Sequence, residues 1–237
     1  MLFTFENIFA GLVNESMKSK ESKPIPYYPI FLNIHGKNCV VVGGGKVALR
    51  KVKMLLECGA KVVVISPKMH RDLAQLAKGK AIQLIERDYE RGDLKGATIV
   101  IAATDEEKIN KRIANEGKER GIFVNVVDNS ELSDFIIPSF FRRGNLTVAV
   151  STSGVSPTLA RKIRMKIEKS FGEEYASLLS LIGEVRSTLK EKVYIVDVEA
   201  WQEALDLDLL IQLVRSGQRK KAKVILLSKL EAHKERK

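Results

Sequence analysis

Long hydrophobic runs, cysteines, aromatics and histidines are all scarce in this chain, and each shortage removes a class of protein. No stretch of eighteen apolar residues occurs, so no segment reads as crossing a membrane. Two cysteines, Cys39 and Cys58, cannot build a disulfide framework and have no C-x-x-C neighbour; they fit a reducing cytoplasm. The three histidines, His35, His70 and His233, share no metal-ligand spacing, which leaves no candidate metal site. Aromatics at 6% are too few to interleave with the basic residues as a single-strand nucleic-acid binder requires, so no nucleic-acid partner is expected. A G-x-S-x-G elbow and a lysine-serine phosphate loop are also missing, which sets aside the common hydrolases and P-loop enzymes.

The 237 residues, 45% of them apolar, suffice for one domain with a smaller appendage. Forty basic against 29 acidic side chains leave a net charge of +11, whose field attracts anions. The bases gather at Arg142-Arg143, from Arg161 to Lys169, and in the tail; composition does not separate a site for an acidic substrate from a solvated lysine-rich surface. At the N-terminus, Ile8 to Val13 is apolar but short, Glu6 precedes it and no basic start exists, so 1–26 reads as an amphipathic extension rather than a signal peptide.

From Asn38 onward, runs rich in valine and isoleucine alternate with helical patterns: Cys39–Val42, Lys61–Ile65, Ile82–Ile85, Thr98–Ala102 and Phe123–Val127. Near-continuous apolar strands mean that both sheet faces are covered. The pattern predicts a Rossmann-type doubly wound parallel sheet in the order βαβαββαβ over 27–134, with helices ending near Gly59 and Gly121. After Asp134 the pattern changes. Phe135–Arg142 and Leu146–Ser151 flank Gly144-Asn145 as an antiparallel hairpin outside the main sheet, and Ser156-Pro157 opens a basic helix reaching Phe171. Residues 135–172 thus form a small α+β domain, with a helical region over 173–237. That region holds a helix to about Lys190, an apolar run Val193–Val198, and helical patterns over Glu199–Val214 and Arg219–His233.

Directly after the first strand, Gly43-Gly44-Gly45-Lys46-Val47-Ala48 matches G-x-G-x-x-A: Gly43 for the turn, Gly45 for close phosphate approach, Ala48 for helix-strand packing. Placed between strand and helix, this is a dinucleotide-binding turn, with the pyrophosphate on the amides around Lys46 and Val47. The acid expected about 20 residues on to hold the ribose hydroxyls is missing. Ser66-Pro67-Lys68 stands there instead: Ser66 suits a ribose hydroxyl and Lys68 a 2′-phosphate, so NAD and NADP both remain open. Ala103-Thr104, at the fourth strand's end, is small enough to admit the nicotinamide half.

Asp128, just past the last strand, is placed either to exchange a proton with substrate or to form the turn Asp128-Asn129-Ser130. Ser151-Thr152-Ser153, ahead of a helix, reads as a carboxylate site or as ordinary capping.

With these residues assembled, the chain closely resembles the precorrin-2 dehydrogenase and sirohydrochlorin ferrochelatase family, the siroheme synthase type, from about Tyr28 to Lys190. The resemblance rests on Tyr28-Pro29-Ile30-Phe31-Leu32, Val41 to Ala48 with Arg50-Lys51, Ala102 to Asp105, Asn125 to Asp128, Phe135 to Ser139, and Val148 to Pro157. It implies NAD-dependent oxidation of precorrin-2 to sirohydrochlorin on a homodimer, with Asp128 at the position of the family's functional aspartate. It also implies a carboxylate-rich tetrapyrrole that Arg142, Arg143 and Arg161 would pair with. Some relatives also insert iron, and no ligand set here decides that. The extension and the tail after about Lys192 fall outside the resemblance, and no methyltransferase module is expected. The rival reading is an NAD(H)-binding sensing module that turns nothing over.

Overall fold

A computed structural model describes residues 27–232, which divide into two compact units at the Ile136-Ile137 junction. The extension read over 1–26, and His233, lie outside the described residues.

The first unit alternates β1 (Asn38–Val42), α1 (Lys46–Glu57), β2 (Lys61–Ile65), α2 (Arg71–Lys78), β3 (Gln83–Ile85), β4 (Ile99–Ala102), α3 (Glu107–Arg120) and β5 (Phe123–Val126). All strands pair in parallel in the order β3-β2-β1-β4-β5, the doubly wound topology that the alternating pattern predicts. Three strands are shorter than the apolar runs suggest. Ile82, Thr98 and Val127 fall outside the strands proper, Val127 because the chain turns just after it.

Register explains the burial. Val40, Val63, Val100 and Val124 stand side by side, as do Val42, Ile65, Ala102 and Val126 one step along, and both rows pack with Ile113 of α3 and with Tyr89 and Leu94. The alternate residues face the other way, and α1 packs on β1 and β2 through its apolar stripe of Ala48, Leu49, Val52 and Leu55. Burial pushes the Cys39 thiol on β1 up to about 11, which makes it a packing residue rather than a nucleophile. Gly121, with φ +65, ends α3 in the left-handed conformation that glycine adopts without strain.

A buried carboxylate ties the β3–β4 crossover to α3. Glu116 is 1% exposed and accepts hydrogen bonds from the Tyr89 hydroxyl, the Gly92 amide (3.0 Å) and Arg120 Nε (2.7 Å). Burial pushes the Glu116 carboxyl up, but the three donors outweigh it and hold the group below the usual glutamate range. Burial and the bond to Glu116 push the Tyr89 hydroxyl up. A lowered carboxylate contributes stability above the ordinary glutamate range that is lost as pH falls through its folded value. A raised tyrosine contributes stability below the ordinary tyrosine range that is lost as pH rises. Glu116→Ala, which strands a buried hydroxyl and Arg120, is expected to cost about 3 kcal/mol at neutral pH by urea titration. A loss under about 1 kcal/mol would mean that water replaces the carboxylate at no cost.

The second unit starts with β6 (Ser139–Arg143) and β7 (Leu146–Val150), an antiparallel pair closed by Gly144-Asn145 with φ +54 at Gly144. Phe135–Pro138 is not strand as the apolar pattern suggests: Pro138 has no N–H to donate to a ladder, and Asn125 Nδ2 instead holds the Phe135 carbonyl at 2.9 Å. Next comes α4 (Pro157–Glu168), with Ser156 Oγ accepting from Leu159 N at 3.2 Å. It stops short of Phe171, whose ring turns inward to Phe141 and Tyr175. Four helices follow, α5 (Glu174–Glu191), α6 (Val198–Ala204), α7 (Leu207–Arg215) and α8 (Arg219–Ala232), around Leu178, Leu181, Val185, Leu210, Leu226 and Leu230. The single helical pattern expected over Glu199–Val214 is two helices, because Asp206 Oδ1 accepts from Leu209 N at 3.1 Å and starts a new helix there.

Candidate functional site

The parallel ladder of the first unit continues one residue past its strands and lines up their carboxyl ends. Ser66 N bonds to Ile85 O, Gly43 N to Ile65 O, Ala103 N to Val42 O and Val127 N to Ala102 O, at 2.7 to 3.1 Å. Across the edge the row therefore reads Ser66, Gly43, Ala103, Val127. Strand order reverses between β1 and β4, which is where open α/β sheets take their ligands.

At that point the three glycines are not equivalent. Gly43 has φ +123, and a Cβ there would lie 2.2 Å from Ala103 O. On Gly44 it would lie 1.9 Å from Lys68 O and 2.8 Å from Ser66 Oγ. Gly45 has an ordinary φ of −81, and a Cβ there would meet nothing within 4 Å. The fold demands the first two glycines. The third opens onto space at the start of α1, where a phosphate would otherwise meet a side chain. That helix has neither a capping side chain nor an acid in its first turn, while Lys46 is exposed beside it and Val47 is 39% exposed. The first-turn amides have no intrahelical acceptor, so the end fits an anion. Ala48 is fully buried, leaving room for the helix against the strand. Gly44 stands as the variable position of G-x-G-x-x-A; only the contact with Lys68 shows why glycine is needed there too.

On the β2 side, Ser66 is buried and donates its hydroxyl to Lys68 O at 2.8 Å, and His70 N donates to Gly44 O at 2.7 Å. Ser66 thus closes the turn under the glycines; its hydroxyl is engaged there rather than held out to a ribose. Pro67 and Lys68 are exposed on the same loop. His70 carries no motif signal, yet its Nδ1 caps α2 by accepting from Asp72 N at 3.2 Å.

On the β4 and β5 side, Thr104 Oγ1 donates to Asn110 Oδ1 at 2.8 Å and Asn110 Nδ2 donates to Thr104 O at 3.0 Å, which fixes the Ala103-Thr104 turn against α3. Asp128 is exposed, with φ +59 in a turn where Asn129 N bonds to Val126 O. Aspartate tolerates that left-handed backbone better than most residues. Two strand spacings separate β1 from β5, about 10 Å, so Asp128 lies along the edge from the glycine turn. Burial, with Arg50 alongside, pulls the Lys51 ammonium of α1 below its ordinary value, and the Asp128 carboxylate works against that fall.

In the second unit, register puts Arg142 opposite Thr147 near the hairpin turn, whereas Ser151-Thr152-Ser153 follows β7 at the open end, starting about 13 Å away along the strand. The hairpin does not gather these two groups at one point. Arg142 stacks over Phe140, and Arg161 is exposed on α4. Thr152 Oγ1 accepts from Ser156 N at 3.1 Å and donates to Ser156 O at 3.0 Å, while Ser153, with φ +52, turns the chain into α4. Arg143 bonds Phe171 O and pairs with Glu168 and Glu173, a structural tie. Among the described residues no group of three or more His, Cys, Asp and Glu could hold a metal ion, and no helix is long and apolar enough to cross a membrane.

These features define a dinucleotide-binding α/β unit followed along the chain by a separate α+β unit, and comparison with known proteins narrows the class. Residues 30–139 match the family described as "Putative NAD(P)-binding", and 143–170 match "Sirohaem biosynthesis protein central". The siroheme synthase of Nitrosococcus oceani is 36% identical over 207 residues, covering 86% of this chain and 44% of the relative; that of Thioalkalivibrio sulfidiphilus is 40% identical over 209 residues, covering 86% and 42%. The solved structure titled "SirC, precorrin-2 dehydrogenase" shares the fold, with TM-score 0.64 and 23% identity over 87% of this chain and all of that one. The chain is thus similar to siroheme synthases along most of its own length. It spans less than half the length of the curated relatives it matches. Coverage of 86% is more than Tyr28 to Lys190 can supply, so the likeness runs beyond the stretch that the motifs mark. The tail helices are integral to the second unit's core.

Proposed function

We propose that this chain oxidises precorrin-2 to sirohydrochlorin with NAD, as the names of its relatives suggest. The observation that carries the reading is the sheet edge itself: an uncapped helix start behind an open Gly45 and, about 10 Å along the same edge, the exposed carboxylate of Asp128. NAD, when bound, accepts the hydride. The glycine turn and the α1 amides hold the pyrophosphate, Ala103 and Thr104 leave room for the nicotinamide, and Asp128 takes the proton that leaves the substrate with the hydride. With the hydride accounted for by NAD, the one proton that remains of the two-electron oxidation would pass to Asp128 and then to water.

The tetrapyrrole's carboxylates pair with Arg142 and Arg161 and with the Ser151-Thr152-Ser153 turn. Leu159 and Ile163, four apart on α4 and 50% and 37% exposed, form with the 80% exposed Val155 ahead of the helix an apolar patch that a second copy covers, giving a homodimer in the cytoplasm. The test is anaerobic incubation with fresh precorrin-2 and NAD, following NADH and sirohydrochlorin together, with light scattering on the same sample. Equal molar appearance of both products by a dimer is the expected result. Tight NAD binding without turnover would turn the reading toward a sensing module.

A further inference from the structure

We propose that Lys51 of α1 binds a carboxylate of the tetrapyrrole beside Asp128 and so seats the substrate against its proton acceptor; the inference rests on the reading of this edge as the site of precorrin-2 oxidation. Charge sets the requirement. The loops that close β4 and β5, 103–106 and 127–131, carry the exposed acids Asp105, Glu106, Asp128 and Glu131 and no base. A substrate rich in carboxylates would meet like charge at the residue that takes its proton. A cation that both can share removes that repulsion, and it must come from another element.

That element is α1. Its buried stripe, Ala48, Leu49, Val52 and Leu55, faces the sheet, while Val47, Lys51 and Met54, four and three residues apart, line one flank. Side chains on a helix lean toward its N-terminus, here toward the glycine turn and the sheet edge. Lys51 lies about 7.5 Å along the axis from Lys46, a distance that a four-carbon stem leaning that way largely spans. The other bases of α1, Lys46, Arg50 and Lys53, are exposed, whereas Lys51 is half-buried and has no hydrogen bond or ion pair among the described residues. Burial pulls its ammonium below the ordinary lysine value, and Asp128 is near enough for its carboxylate to act against that fall. A half-buried charge without a partner costs stability, and a carboxylate from the substrate is the partner it lacks.

The experiment measures precorrin-2 oxidation by the full chain at saturating NAD, beside Lys51→Met and Lys51→Arg, with NAD affinity by calorimetry and unfolding in urea. Lys51→Met is expected to raise KM for precorrin-2 by about tenfold to a hundredfold, the worth of one charge-assisted contact, while NAD affinity stays within about threefold of the parent's. It should unfold at no lower urea than the parent, since the charge it removes had no partner. Lys51→Arg keeps the charge and should hold KM within about fivefold of the parent. An unchanged KM in Lys51→Met, with a parent that does oxidise precorrin-2, would overturn the inference alone. So would a lower kcat or a weaker NAD affinity at the parental KM, or an equal rise of KM in both variants, which marks packing rather than charge. No turnover by the parent would remove the proposed function and this inference with it.

Discussion

Asp128→Asn is expected to fold as the parent does, to bind NAD with the parent's affinity, and to lose precorrin-2 turnover by about 10²- to 10⁴-fold, the usual worth of a positioned proton acceptor. Asparagine is the informative replacement because Asp128 has φ +59, a backbone that asparagine shares with aspartate and alanine does not readily adopt. Asp128→Ala would mix loss of the carboxylate with strain in the turn, so a defect in it alone would not separate a catalytic residue from a turn former. With asparagine the turn is kept and only the charge and the acceptor go. Undiminished turnover in Asp128→Asn would leave the residue a turn former and nothing more. Weakened NAD binding with normal turnover at saturation would point to a cofactor contact instead.

The glycines give the second large effect, and it divides by position. Gly43→Ala is expected to cost about 2–6 kcal/mol in denaturant unfolding, the sum of a strained left-handed residue and an overpacked backbone contact. The opposing atoms are the Ala103 carbonyl oxygen at 2.2 Å and its carbon at 2.7 Å, so no flexible side chain can give way; β1 and β4 must part. That loss is a large share of an ordinary domain's stability. Gly45→Val should behave in the opposite way. Its φ of −81 suits any residue and nothing stands within 4 Å, so unfolding should change by about 1 kcal/mol or less, the scale of a lost cap. NAD affinity should nevertheless fall by about a hundredfold or more, because the side chain occupies the line of approach of the pyrophosphate. A Gly45→Val protein that binds NAD normally would show that the phosphates lie elsewhere.

Much of the first unit is written in local pattern. The valine and isoleucine runs, the glycine turn between Val42 and Lys46, and the left-handed stops at Gly59 and Gly121 each act within a few residues, and all of them keep their roles in the fold. The misreadings share one cause. Phe135–Pro138 has strand-like apolarity but no partner for an edge that Pro138 interrupts, and Glu199–Val214 has helical periodicity across a capping aspartate. Apolar periodicity reports burial, whereas the ends of elements are set by hydrogen bonds that such periodicity does not count.

The sequence by itself determined the doubly wound class, the order of its strands and helices, the dinucleotide turn and Asp128 as the acid beyond the last strand, because periodicity, glycine spacing and turn chemistry are local properties of the chain. Only the tertiary structure decided that Ser66 is engaged beneath the turn, that Gly44 is as constrained as Gly43 while Gly45 is not, that His70 and Asn110 hold the loops of the edge, and that Arg142 and Ser151 sit at opposite ends of one hairpin. The glycine constraints and the tie from His70 N to Gly44 O depend on contacts between segments distant in sequence, such as Gly43 with Ala103, which exist only once parallel strands have been brought into register; the Ser66 and Asn110 bonds span two and six residues and are set by the fold of their own loops.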